Sequence, residues 1–268
     1  MLNFKRLAFS LCFIACFQVA FSQIGFSNEI GIVAGPVQFR SDYGVRENAT
    51  TNFGNTGIGI GIVHYINFSY KRNYNFRRPN TYFEEHFKFR NEISWNKTKL
   101  EHFGRWVDAS KTSEDAKRLR AHKGFAKNLD LGTELEFFPL EIHDFEAFGH
   151  ALAPFVSLGI HYTIYSPEVS TTYANSDPTA VGNISDPSNF YSLWAPHSVD
   201  VSGGDTFSLI SSIGVRYKLD KMSDLMLNLR GQYYLTNDFV DGLNHQLSSN
   251  KYNDWLIWLN VGYIYYLN

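Results

Sequence analysis

Residues 55–70 read NTGIGIGIVHYINFSY, and this stretch decides the fold. It alternates glycine with isoleucine at Gly57, Ile58, Gly59, Ile60, Gly61 and Ile62. Strict alternation is typical of a β-strand, in which successive side chains point to opposite faces. One face of this strand is apolar and the other has no side chains. Such a strand fits a wall that separates hydrocarbon from a crowded interior.

The same alternation of apolar and polar residues recurs along the chain and predicts eight strands. They span residues 24–40, 55–70, 82–97, 125–138, 154–164, 206–219, 225–236 and 255–267. The connections after the odd-numbered strands are the longer ones, at 41–54, 98–123, 165–205 and 237–253. Those after the even-numbered strands are shorter, at 71–81, 139–153 and 220–224. This asymmetry is typical of an outer-membrane barrel with long outer loops.

The N-terminus predicts export. Residues 1–22 combine a basic start, an apolar run and a small-x-small ending at Ser22, which is the pattern of a secretory signal peptide. Lipidation at Cys16 is the alternative, but the apolar run continues past this cysteine. The predicted domains are a signal peptide over 1–22 and a barrel over 23–268. Both cysteines lie in the signal peptide, so no disulfide is expected in the mature chain.

Charge and hydropathy limit the function classes. The formal net charge is −2, which argues against nucleic acid as a partner. After Ser22, no segment approaches the roughly 20 apolar residues that a transmembrane helix needs. A helix is predicted only within the second outer loop, at 113–122, with Thr112 or Ser113 as its N-cap.

A membrane barrel is favoured over a soluble one, in which the same alternation would turn the apolar face inward. The predicted strands are at least as long as the roughly 9–11 residues that cross a bilayer. Aromatic residues gather near several strand ends, as interfacial girdles require. The alternative is a glycine-rich edge strand in a soluble sheet. The expected lipid-facing residues are Ile58, Ile60, Ile62, Phe87, Phe89, Leu129, Leu131, Ile257, Leu259 and Val261.

The opposite face predicts a lumen filled by ion pairs, with no continuous water channel. An eight-stranded barrel is only wide enough for its own side chains. The expected charge network comprises Glu84, Lys88, Arg90, Glu92, Asp130, Glu134, Glu136, Arg216 and Arg230. Strands three and four are neighbours, so their cations and carboxylates are expected to pair. Gly57, Gly59 and Gly61 are expected to make room for the long inward side chains.

Some residues depart from this pattern. His64 and Asn91 fall on the lipid-facing register. They are expected to pair with each other or to lie near a membrane interface, and the alternative is a contact with another protein. His102 and His161 are the candidates for a catalytic base, because some outer-membrane barrels are lipid-acting enzymes. No nucleophile motif accompanies them, so neither catalytic residues nor an enzymatic role is predicted. The sequence likewise predicts no cofactor and no metal site.

The chain resembles a largely uncharacterised family of flavobacterial outer-membrane barrels. The segments GNTGIGIGIVHYINFSY (54–70), HFGRWV (102–107) and NDWLIWLNVGYIYYL (253–267) carry the resemblance, with shorter matches at 135–140, 214–219 and 223–226. The resemblance implies export and a barrel, but no catalytic residues. In size and layout the chain is also similar to the PorG-type barrels associated with type IX secretion.

Together these features predict a monomeric outer-membrane barrel that acts as a structural, interaction or anchoring protein through its loops. The alternatives are a secretion accessory, a small-solute channel and a lipid-modifying enzyme. The expected partners are outer-membrane lipid and a protein on the periplasmic or cell-surface side. Loops 98–123 and 165–205 are the expected recognition surface.

Overall fold

The computed structural model describes residues 27–45, 48–68, 81–174, 184–236, 239–244 and 253–267. Nine strands are present in this part of the chain: β1 (Ser27–Arg40), β2 (Thr56–Asn67), β3 (Phe87–Glu101), β4 (His122–Phe137), β5 (Leu152–Tyr165), β6 (Glu168–Thr171), β7 (Gly204–Asp220), β8 (Ser223–Tyr234) and β9 (Trp255–Tyr266). Three α-helices lie in the connections: α1 (Tyr82–His86), α2 (Glu114–Ala121) and α3 (Ile142–Glu146). Short 3-10 helices span Ala49–Thr51 and Pro187–Asn189.

Eight of the strands close into an antiparallel barrel. The hydrogen-bonded order is β3-β2-β1-β9-β8-β7-β5-β4, and a direct β3–β4 pairing closes the ring. Strand β6 stands outside the ring and extends the start of β4, pairing Glu168–Thr171 with residues 122–125. The predicted eight-stranded up-and-down barrel is confirmed. Full closure leaves no barrel strand with a free edge.

The barrel is apolar outside and polar inside. On β2, Ile58, Ile60 and Ile62 are between 55% and 59% exposed, while neighbouring Val63 and Tyr65 are fully buried. Exposed large apolar residues recur on the outward face of all eight barrel strands. A continuous apolar surface of this extent is stable only against lipid, so the barrel spans a membrane. Among the described residues, no helix is both long and apolar enough to cross a bilayer.

The two ends of the barrel differ. The loop end carries the connections 41–55, 102–121, 166–203 and 235–254, and the turn end carries 68–86, 138–151 and the tight turn 221–222. At the loop end, α2 has Ser113 as its N-cap, which is one of the two residues predicted for that position. At the turn end, α3 buries Ile142 and Phe145 beneath the barrel. His143 and Asp144 belong to this helix.

The prediction for Glu84 is wrong. The third strand was expected to begin at residue 82, but residues 82–86 form α1 and β3 begins at Phe87. Thr81 caps this helix in a capping box, in which Glu84 Oε2 accepts a hydrogen bond from the Thr81 backbone N–H at 2.8 Å. A short helix with such a cap competes with strand alternation over the same residues. Glu84 therefore lies outside the lumen.

Several predictions fall outside the described residues. They are the signal peptide over 1–22, the start of the first strand at 24–26, the end of the second strand at 69–70, most of the connection 71–81, and parts of the outer loops 41–54, 165–205 and 237–253.

Candidate functional site

The turn-end half of the lumen is built around Glu29 on β1. Lys88 Nζ donates to Glu29 Oε1 at 2.5 Å, and Arg216 Nη1 donates to Glu29 Oε2 at 2.6 Å. Lys88 also reaches Glu146 of α3 at 3.2 Å. Strands β1, β3 and β7 are not neighbours in the barrel. These ion pairs therefore cross the lumen and tie its walls together.

A second cluster fills the middle of the lumen. Arg230 on β8 binds Glu92 on β3 through two hydrogen bonds, at 2.6 and 2.5 Å, and also donates to Glu134 on β4 at 2.8 Å. Arg90 donates to Glu92 and, at 3.3 Å, to Glu136. The bidentate arrangement gives charge-assisted hydrogen bonds of fixed geometry.

Charge in the ion-pair clusters is balanced. Within the described residues, five buried cations meet five buried carboxylates: Lys88, Arg90, Arg216, Lys218 and Arg230 against Glu29, Glu92, Glu134, Glu136 and Asp224. The three arginines have no exposed surface. A water-filled channel at this level would expose them, so the lumen here is filled.

The structure places the predicted network residues in two groups. Seven of them, Lys88, Arg90, Glu92, Glu134, Glu136, Arg216 and Arg230, meet in the clusters above. Asp130 is buried but accepts hydrogen bonds from Thr163 at 2.5 Å and Gln232 at 2.8 Å, forming a polar layer nearer the loop end. Glu29 and Lys218 lie on the polar faces of their strands but are absent from the predicted network. Asp224 is absent as well, because it lies just before the predicted start of its strand.

The space beside the β2 glycines is filled by other groups than predicted. A Cβ on Gly59 would lie 2.8 Å from the Trp258 ring of β9, and a Cβ on Gly57 would collide with the β3 backbone at Lys97. At Gly61 the nearest atom is the Cβ of Ser94, also at 2.8 Å. The glycines therefore admit Trp258 and close backbone packing, and not the arginines directly. Arg230 lies over the Trp258 ring, with its guanidinium carbon 5.0 Å from the ring centroid.

The predicted lipid-facing residues all lie on the outward register. Leu129, Leu131, Leu259 and Val261 are exposed, whereas Phe87, Phe89 and Ile257 are half-buried against outward neighbours.

His64 and Asn91 are paired across β2 and β3, and Asn91 Nδ2 lies 3.5 Å from His64 Nδ1. The other ring nitrogen of His64 lies 3.1 Å from Asn28. The polar pair is thus satisfied within the barrel wall.

A histidine and aromatic cluster lies at the loop end. His122 Nε2 is 3.2 Å from the Tyr43 hydroxyl, and its Nδ1 is 2.8 Å from His102 Nε2. The rings of Trp194 and Phe190 lie 5.4 and 5.1 Å from His122. Burial raises the pKa of Tyr43 well above its ordinary value, and the Asp241 carboxylate adds to this rise. The hydroxyl therefore stays protonated as a hydrogen-bond donor.

A cavity of about 240 Å³ opens beside this cluster. Loops 41–55, 102–121 and 166–203 all contribute to its wall, which is mostly apolar. Trp106 and Leu193 line it and are 53% and 65% exposed. Neither residue was singled out from the sequence, because nothing local shows that their loops meet.

Hydrogen bonds hold these loops together. Asp115 of α2 accepts from the Ser192 hydroxyl at 2.7 Å, and Glu114 accepts from the Tyr173 hydroxyl at 2.7 Å. Burial alone would raise the pKa of Asp115, but its bonds to Ser192 and Arg118 lower it below the ordinary value. The loop end is therefore an organised cap over the barrel.

Two other clusters contain side chains of the types that catalyse reactions or bind metals. His161 Nε2 lies 3.6 Å from Glu134, but both side chains are fully buried in the lumen and beyond the reach of a substrate. Carboxylate oxygens of Asp42, Asp241 and Asp254 lie within 4.8 Å of one another at the loop end. All three are buried, and within the cluster the Asp42 backbone N–H donates to Asp241 Oδ2 at 2.9 Å.

Comparison with known proteins gives fold likeness only. No protein-family model matches the chain. No curated protein matches it either. Among solved structures, Neisserial surface protein A aligns at 12% identity over 89% of this chain and 96% of its own, with a TM-score of 0.42. The outer membrane protein OprG from Pseudomonas aeruginosa aligns at 10% identity over 90% and 97%, with a TM-score of 0.41. A major outer membrane protein from Thermus thermophilus aligns at 12% identity over 90% and 99%, with a TM-score of 0.43.

Likenesses at these identities and TM-scores carry no information about a ligand or role. The strand pairings, the apolar exterior and the filled polar lumen are those of a small outer-membrane β-barrel.

Proposed function

We propose that this protein is a non-catalytic binding protein of the outer membrane, in which the barrel anchors the loops and the loop end faces the outside. The observation that carries the proposal is the cavity walled by three loops above a filled lumen. Export with cleavage near Ser22 belongs to the same proposal.

The cavity favours a protein partner that inserts an apolar or aromatic side chain. Its volume of about 240 Å³ is suited to one or two side chains. Trp106 and Leu193 are exposed at its rim, and exposed aromatic residues around a pocket are typical of binding hot spots. The hydrogen-bonded cap keeps the loops ordered before binding, which lowers the entropic cost of association.

Site-specific crosslinking tests the proposal. A photo-crosslinking amino acid at Trp106 in the full chain, expressed in its own cells, should capture one partner in high yield. The matched position at the other end is Phe148, which is 48% exposed in the connection 138–151. Crosslinks to a defined protein from position 106 but not from 148 support a cell-surface binding role, and the absence of any crosslink at 106 contradicts it.

The secretion-accessory alternative, to which the PorG-type resemblance points, makes the opposite prediction. Leu140 and Phe148 are exposed apolar residues at the turn end, and an anchored periplasmic partner would crosslink at position 148. The channel alternative predicts conductance in planar bilayers, against which the buried arginines argue. For an enzyme, the burial of His161 argues against a lumenal active site.

A further inference from the structure

The outward face of the barrel carries its cations almost entirely in one sector. Five cations occupy outward positions of the eight barrel strands, as far as the structure describes them, and all five lie near the loop end. Four of them belong to β3 and β4: Lys97, Lys99, Lys123 and Lys127. The fifth is Arg40 on β1, which lies over the Trp255 ring at 4.9 Å. The described outward positions of β5, β8 and β9 carry no charge at all.

These lysines begin where the apolar band ends. Trp95 pairs with Leu129 across β3 and β4, and the outward residues one step toward the turn end, Ile93 and Leu131, are 55% and 56% exposed. Tryptophan at such a position is typical of the membrane interface. At about 3.4 Å per residue, Lys97 lies roughly 7 Å beyond Trp95 along the strand. That distance places its amine at the level of lipid headgroups.

The register brings like charges together. Lys97 lies directly opposite Lys127, and facing like charges destabilise a strand pair. Lys97 Nζ lies over the Phe125 ring at 4.2 Å, and Lys127 pairs with Glu168 of β6.

The remaining lysines are only partly neutralised. Lys99 and Lys123 share one carboxylate, that of Glu101, at 3.1 and 2.9 Å, and remain 54% and 52% exposed. Four lysines against Glu101 and Glu168 leave two positive charges beside the lipid surface.

We propose that the outward lysines of β3 and β4 bind the phosphate groups of a phosphorylated glycolipid in the surrounding leaflet. The headgroup phosphates lie between Lys97 and Lys127 and toward Lys99 and Lys123, while the acyl chains cover Trp95 and Leu129. An anionic group between the two facing lysines removes their repulsion. The site rests on the proposed orientation, in which the loop end faces the outside, but not on a partner in the loop-end cavity.

The test uses the purified full chain in nonionic detergent, titrated with lipid A that carries two phosphates. Dephosphorylated lipid A is the matched lipid, and inorganic phosphate is the free-anion arm. At roughly 1 kcal/mol for each basic residue near a charged lipid surface, losing one lysine weakens binding about fivefold. The K97Q/K127Q double variant should therefore bind phosphorylated lipid A at least tenfold more weakly. Its affinity for dephosphorylated lipid A should equal that of the unmodified chain.

Two further variants control the result. Arg40→Gln removes an outward cation from another sector and should leave lipid A binding unchanged. Glu168→Gln frees Lys127 and should tighten binding severalfold, which a variant that merely damages folding cannot do.

The proposal is overturned if phosphorylated and dephosphorylated lipid A bind equally, or if Arg40→Gln weakens binding as much as the lysine variant. It is also overturned if inorganic phosphate competes fully at micromolar concentration, since the site would then be one for free phosphate. Crosslinking at Trp106 reports on the loop-end cavity alone, so the two proposals fail independently.

Discussion

Ion pairs in the middle of the barrel and at its loop end differ in their exposure to water. In the lumen, Arg230 and Glu92 are held by two hydrogen bonds, at 2.6 and 2.5 Å, and are shut off from water. At the loop end, Glu114 and Lys117 also pair at 2.6 Å, yet their side chains are more than half exposed. The geometry is similar, but water screens only the second pair.

This difference in solvent exposure indicates which region of the protein can bind a partner. The lumen is filled, and ion pairs tie its walls together across the axis, so it acts as a rigid support. The loop end leaves a cavity open and exposes Trp106 and Leu193 beside it. We therefore expect recognition at the loop end.

Breaking the central ion pairs of the lumen should lower the free energy of unfolding more than any other change proposed here. Arg230→Met leaves Glu92 and Glu134 buried with too little positive charge, which should cost about 3–5 kcal/mol. The measurement is the free energy of unfolding in urea for the barrel folded in lipid vesicles. Lys117→Met at the loop end breaks an exposed pair and should cost below about 0.5 kcal/mol. Equal losses in the two variants would show that the lumen is solvated.

The glycine positions test packing inside the wall. Gly59→Ala places a Cβ 2.8 Å from the Trp258 ring, and overpacking of this kind costs about 1–3 kcal/mol. On the outward face, a Cβ on Gly231 meets only the Ser211 side chain at 3.6 Å and its carbonyl at 3.9 Å. Gly231→Ala should therefore be neutral or slightly stabilising. Urea unfolding measures both, and a shift in Trp258 fluorescence should accompany only the first.

The histidine and aromatic cluster should contribute less to stability than the lumen does, and it should stabilise only the loop end. Tyr43→Phe removes the hydroxyl that contacts His122, at a cost of about 1 kcal/mol. Faster amide hydrogen exchange in residues 102–121, with unchanged exchange in the strands, is the expected result. Tyr233→Phe on the outward face serves as the matched control. Faster exchange throughout the barrel would mean that the cap and the barrel unfold together.

Acid should loosen the loop-end cap. The pKa of Asp115 is lowered, so its bonds to Ser192 and Arg118 stabilise the cap fully above the ordinary value of about 3.9. That stability is lost as the pH falls below about 4 and through the folded-state pKa. The effect should stay below about 1 kcal/mol, because the Asp115 side chain is still 31% exposed and water screens its interactions. Asp115→Asn should abolish this dependence in the exchange of residues 190–194, which lie around its partner Ser192. An unchanged pH profile in this variant would contradict the assignment.

The sequence predicted the strands of the barrel wall better than it predicted the side-chain contacts across the lumen. Alternation identified every barrel strand and which side chains point inward, since both follow from local backbone geometry. It failed at Glu84, where a capping box outweighs alternation over a few residues. The sequence also predicted that arginines fill the space beside Gly59. Trp258 of β9 fills it instead, and no residue near Gly59 in the chain indicates that contact.

By itself, the sequence determined that this chain forms an inside-out barrel of eight strands with charged groups in its lumen. Period-two alternation sets the face of each residue, and the hydrophobic effect then decides which face meets lipid. Only the tertiary structure decided that Glu29 joins Lys88 and Arg216, that Trp258 occupies the glycine gap, and that three loops enclose a cavity at Trp106. These contacts depend on the stagger of strands around the closed barrel and on where distant loops end, which no local pattern encodes.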